Sequence, residues 1–153
     1  MLTAAVWLPF GVIRPAYAQP AILSAGDLAV VSHPVNIDFG GRIRLLGYDL
    51  DCEQLAPGDT LDLTLYWQAL QPMDENYSVF VHLLGENDLI IAQRDRYPGQ
   101  GNYPTSLWSP GEIMADRYAV QLPATARTPD QARVVVGWYL LGSDTRLEAV
   151  GAD

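Results

Sequence analysis

The sequence has no lysine: all nine of its basic residues are arginine, set against 18 aspartates and glutamates. The formal net charge is −9. A surface of that sign repels phosphate backbones, so no nucleic-acid partner is expected. Docking on anionic lipid through a basic patch is disfavoured for the same reason. A neutral partner such as a sugar is compatible with this charge. Cysteine is equally scarce. Cys52 stands alone, which rules out an intrachain disulfide. With only His33 and His82 beside it, the ligand set of a structural zinc site is missing as well. No D-x-D-x-D-G calcium loop occurs, and neither a metal nor a cofactor is expected. No G-x-S-x-G, H-E-x-x-H or phosphate-cradling glycine loop is found, so the chain is not expected to be an enzyme in its own right. The paired glycines of "FGGRIRLLG" precede a strand rather than a helix, so they offer no helix end for an anion.

Long apolar runs are also lacking. The longest spans Leu2 to Ile13, about a dozen residues, where a bilayer needs roughly 20. Ala16-Tyr17-Ala18 resembles a signal-peptidase site, but no positive charge precedes the apolar run, and Arg14 follows it. The segment therefore reads as the end of a membrane helix or as an apolar N-terminal arm, with a cleaved signal peptide as a further alternative. Both membrane-related readings place the rest of the chain outside the cytoplasmic membrane. Residues 21–34 read as a linker and 35–150 as the folded domain.

The folded part has period two. "DTLDLTLYWQAL" sets Leu61, Leu63, Leu65 and Trp67 on one face and Asp62, Thr64, Tyr66 and Gln68 on the other. A half-buried strand requires this alternation, because successive side chains point to opposite faces. "NYSVFVHLLG" and "RYAVQLP" repeat it. "ARVVVGWYLL" is apolar on both faces and suits a central strand. Turn signals separate these runs: "APGD", "GEND", "SPGE" and "LGSD". No stretch of ten or more residues past residue 20 keeps helical spacing. Strands are expected near 35–39, 42–51, 59–69, 76–84, 88–97, 113–122, 132–141 and 145–149. Short strands punctuated by turns give an all-β, antiparallel two-sheet sandwich.

The series "NIDFGGRIRLLGYDL", "LAPGDTLDLTLYWQAL", "YSVFVHLLGENDLIIAQRD" and "YPTSLWSPGEIMADRYAVQLP" resembles the C-terminal extracytoplasmic module of bacterial multi-spanning membrane glycosyltransferases. Those proteins are similar to the dolichyl-phosphate-mannose–protein mannosyltransferases. "RPAYAQP" resembles the segment just after their last membrane helix. The resemblance implies an immunoglobulin-like or carbohydrate-binding-module-like sandwich of about eight strands. It also implies a non-catalytic accessory role on the extracytoplasmic face of the membrane, beside a glycosyltransferase core in the same or a neighbouring chain. In such proteins the catalytic acids lie in membrane-adjacent loops near the N-terminus, a region this sequence does not contain. A structural or protein-interaction module, or a secreted sandwich protein, are the alternatives.

Candidate site residues cluster in one loop. Residues 97–112, "YPGQGNYPTSLWSPGE", hold three prolines, three glycines, two tyrosines and a tryptophan. Trp108, Tyr103 and Tyr97, with Gln100 and Asn102, combine rings for sugar C–H faces with amides for hydroxyls, as a neutral-glycan platform would. The competing reading is a scaffold, since long loops with large rings fold back to bury them. Trp67 and Trp138 sit in patterned strands and read as core. His82 reads as a side chain lining a sheet face. Asp95, Glu112 and Asp116 are the acids nearest the loop. Arg94, Arg96 and Arg117 adjoin two of them in sequence and are expected to keep those two ionised.

Overall fold

The computed structural model describes residues 20–52, 54–127, 131–143 and 145–151. Among the described residues nine strands run in chain order: β1 Ala21–Leu23, β2 His33–Phe39, β3 Ile43–Leu50, β4 Thr60–Ala69, β5 Tyr77–Leu84, β6 Ile90–Arg96, β7 Ile113–Gln121, β8 Arg133–Leu140 and β9 Ala149–Gly151. They form two antiparallel sheets. The larger has the order β1-β7-β4-β3-β2-β9 and the smaller β6-β5-β8. The fold is the expected two-sheet sandwich. Among the described residues no helix is long and apolar enough to cross a membrane.

The period-two faces fold as their pattern requires. Leu61, Leu63, Leu65 and Trp67 of β4 are all buried, and Asp62 between them is exposed. Facing them from the small sheet are Tyr77, Val79, Val81 and Leu83 of β5 with Trp138 of β8. A string of rings runs through this interior. Phe39 meets Trp67 at 5.8 Å, Trp67 meets Trp138 at 4.8 Å, and Trp138 meets Trp108 at 5.7 Å, each pair edge to face. Edge-to-face pairs add to area burial because a positive ring edge meets a negative face. The two Pro-Gly turns form as read: Gly58 and Gly111 hold φ of 94° and 83°, which proline at the preceding position sets up.

Three readings change. The apolar run "ARVVVGWYLL" becomes β8, an edge of the small sheet, and β5 takes the centre. β8 is apolar on its outer side because it packs there under the rings of β5; Phe80 lies across Gly137. Between its other flank and β2–β4 the sheets leave an apolar hollow of about 340 Å³, lined by Val35, Ile37, Leu45, Leu63, Val134 and Val136. Second, part of residues 21–34 belongs to the sandwich. β1 pairs with β7, with Ala21 opposite Ala115, and β2 begins at His33. The sandwich thus includes Ala21–Leu23, and the reading of residues 1–19 lies outside the described residues. Third, the last strand comes later, at Ala149–Gly151 beside β2.

Candidate functional site

The loop after β6 turns its largest rings inward. Trp108 is 4% exposed and Tyr103 8%. The Trp108 indole N–H donates to the Tyr103 carbonyl at 3.1 Å. The Tyr103 hydroxyl donates to Glu112 Oε1 at 2.6 Å, and Glu112 Oε2 accepts from the Ser109 N–H at 3.0 Å. Thr105, fully buried, donates to the Glu75 carbonyl at 2.7 Å and accepts from the Tyr77 N–H at 3.0 Å, tying the loop to the start of β5. Such a loop ties up its own polar groups and gives its ring faces to the core. Trp108 and Tyr103 therefore present no face on which a sugar could stack, and the scaffold reading accounts for both. Tyr97 and Asn102 are half-buried and Gln100 is exposed. Gln100 takes a positive φ of 58° in the turn between Gly99 and Gly101.

A buried acid holds this loop down. Asp116, on β7, is 1% exposed. It accepts from the Tyr118 hydroxyl and from the Gly99 N–H, the latter at 3.2 Å. Arg96 reaches across from β6: its guanidinium stands 3.9 Å from Asp116 Oδ1 and 4.5 Å over the Tyr118 ring, and it donates to the Arg117 carbonyl. Burial pushes the Asp116 carboxyl up, and Tyr118, Arg96 and the loop N–H groups offset this only in part. Burial, then Asp116, raises the Tyr118 phenol well above its ordinary value. Arginine neighbours in sequence were the wrong guide to these acids. Consecutive strand residues point to opposite faces, so Arg117 is exposed while Asp116 is buried. The partner of Asp116 is Arg96, 20 positions away, and that of Asp95 is His82. The three acids have separate partners at separate places: Asp116 and Glu112 bind the fold, and Asp95 stands on the outer face with His82.

The outer face of the small sheet carries a different cluster. The β5–β6 register sets Gln93 opposite His82 and Asp95 opposite Phe80. His82 Nε2 then lies 3.3 Å from Asp95 Oδ1. That contact is close in distance but poorly aligned, so the enclosed Nε2 has no hydrogen-bond partner among the described residues. Phe80 is pinned over Gly137, where a Cβ would come within 2.4 Å of the ring. The Arg146 guanidinium lies over the same ring, 5.2 Å from its centroid. With Tyr139 and Ser143 these groups line a hollow of about 220 Å³. Ser, His and Asp thus share one hollow, as a nucleophilic triad would. The Ser143 hydroxyl, however, donates to the Leu140 carbonyl at 3.3 Å and accepts from the Thr145 N–H at 3.1 Å. Its proton is committed to its own turn rather than to His82. The arrangement suits holding a polar ligand better than breaking one. Reading the residues in line missed this site, because His82 and Asp95 meet only through the hairpin register. Among the described residues no group of three or more His, Cys, Asp or Glu is placed to hold a metal.

No protein-family model and no curated protein matches the sequence. Among solved structures, the chain is similar to a β-glucuronidase from glycoside hydrolase family 2, at a TM-score of 0.47 and 11% identity. The match covers 69% of this chain and 10% of that one.

Proposed function

We propose that the chain is a non-catalytic accessory domain, displayed on the extracytoplasmic side of a membrane glycosyltransferase, that contacts a neutral glycan. The observation that carries this reading is how the acids are used. Asp116 clamps the two sheets and Glu112 closes the aromatic loop. Asp95 faces outward in a hollow with rings, a guanidinium and hydroxyls. The parts of a binding surface are present on the outside, while Asp116 and Glu112 are spent on the fold. The sequence resemblance supplies the glycosyltransferase context, in the same or a neighbouring chain, and the net charge of −9 argues against nucleic acid. A fusion of alkaline phosphatase to the C-terminus of the natural protein tests the placement, since that reporter needs an oxidising compartment to form its disulfides. Activity is the expected outcome; a reporter active only after cell lysis and oxidation overturns the extracytoplasmic assignment.

A second reading, a structural interaction module, is favoured by one feature. The apolar hollow beside β8 leaves Val134 37% exposed at the strand edge. Chemical cross-linking of the natural protein in membranes separates the two readings: links at β8 with no glycan binding favour the second.

A further inference from the structure

We propose that the hollow between Asp95 and Arg146, on the outer face of the three-stranded sheet, is a subsite for one neutral pyranose unit gripped by two adjacent hydroxyls. This inference rests on the glycan-contacting reading and moves its address from the 97–112 loop to the β5–β6–β8 face.

The chemistry of the lining sets the ligand. A carboxylate only accepts hydrogen bonds and a guanidinium only donates them. Two neighbouring hydroxyls on a ring can satisfy both at once, one donating to Asp95 and the other accepting from Arg146. The two groups are held ready for this. His82 stands against Asp95 Oδ1 at 3.3 Å, which leaves Oδ2 for a ligand. Arg146 rests on the Phe80 ring at 5.2 Å, and Phe80 is fixed against the Gly137 backbone. Less ordering is then needed on binding than for a free side chain. Tyr139 lies at the same rim, half-buried, its ring 6.4 Å from Phe80, and offers the C–H face of a sugar an aromatic neighbour.

Size and charge narrow the class. About 220 Å³ lies below the roughly 300–1,000 Å³ of pockets that enclose a whole ligand, so the hollow suits one ring of a longer chain. Asp95 together with a net charge of −9 disfavours acidic sugars. The phosphate of a lipid headgroup is disfavoured on the same ground.

The test titrates the full 153-residue chain with glucose, mannose and galactose, their di- to tetrasaccharides and the matching uronic acids, followed by calorimetry and NMR. Asp95→Asn and Arg146→Gln are the probes, Arg133→Gln is the control outside the hollow, and thermal melting monitors folding. At least one neutral saccharide should bind, each probe should lower its affinity about tenfold or more, and the control should bind like the unaltered chain. Binding that survives both probes overturns this inference and leaves the glycan-contacting reading standing, with its site elsewhere. Tighter binding of a uronic acid overturns the neutral assignment. No binding of any saccharide overturns the wider reading along with this one.

Discussion

The 97–112 loop and the outer face of the small sheet are built from similar parts and use them in opposite ways. Both set aromatic rings near a carboxylate and an arginine, Arg96 beside the loop and Arg146 on the sheet face. In the loop the rings point inward, and Glu112 of the loop and Asp116 of β7 bind the chain to itself. On the sheet face the ring Phe80 supports a guanidinium, and Asp95 stays half in solvent. Ring content therefore says little about whether a segment binds something. What decides it is whether the polar groups around the rings are already paired within the fold.

Substitutions can break that contrast. The largest effect is expected at Trp108. Trp108→Ala should cost about 3–5 kcal/mol in chemical denaturation, as for a large ring removed from a core, and Tyr139→Ala on the sheet face far less. Equal losses at the two positions would erase the distinction drawn between them. Asp116→Ala should cost a similar 3–5 kcal/mol or so, because the Arg96 charge and the Tyr118 hydroxyl lose their buried partner. An unchanged denaturation midpoint would mean that Asp116 is not the clamp described. Gly137→Ala is expected to cost about 1–3 kcal/mol, since the added methyl must displace Phe80. It should also alter the Phe80 and His82 ring signals in NMR spectra, and intact signals would argue against the pinned ring.

Alkaline pH probes the loop without mutation. Burial, then Glu112, raises the Tyr103 phenol from 10.0 to about 12, and burial, then Asp49, does the same for Tyr66. The folded state thus favours the neutral phenols more than the unfolded state does. Their contribution is fully present below pH 10 and is lost as pH rises through 12. Urea midpoints measured from pH 9 upward should fall over that window, and Tyr103→Phe should make the fall shallower; an identical slope in the variant would contradict it. The smallest effect is expected at Arg133, whose pair with Asp88 is 67% and 73% exposed. Arg133→Gln should change stability by less than about 0.5 kcal/mol.

The sandwich was legible because alternation is a local property. Leu61 to Trp67 declare both a strand and its buried face within seven residues, and the turns carry their own chemistry in Pro57-Gly58 and Pro110-Gly111. Sheet order is not local. β8 looks central because its outer side is covered by Phe80, a residue far away in sequence, and nothing in its own residues says which neighbours it has. β1 was passed over because three residues are too few to show a period. The candidate site was the least legible part. Arg94, Arg96 and Arg117 adjoin the acids along the chain, yet pleating turns neighbours apart, and register chose His82 and Arg96 as partners instead. Trp108 could not be placed from its loop alone, because its burial depends on Trp138 lying opposite.

Pro20, the first described residue, packs its ring against Gly99; a methyl added at Gly99 would lie 2.8 Å from it. A pull on the chain at Pro20 loads that contact and then the three residue pairs that zip β1 to β7. The Gly99 turn is itself gripped by Asp116, which accepts from its backbone N–H. The inter-sheet clamp thereby lies on the mechanical path between Pro20 and the body of the domain. The His82–Asp95 face, on the opposite layer, is spared the first share of any pull.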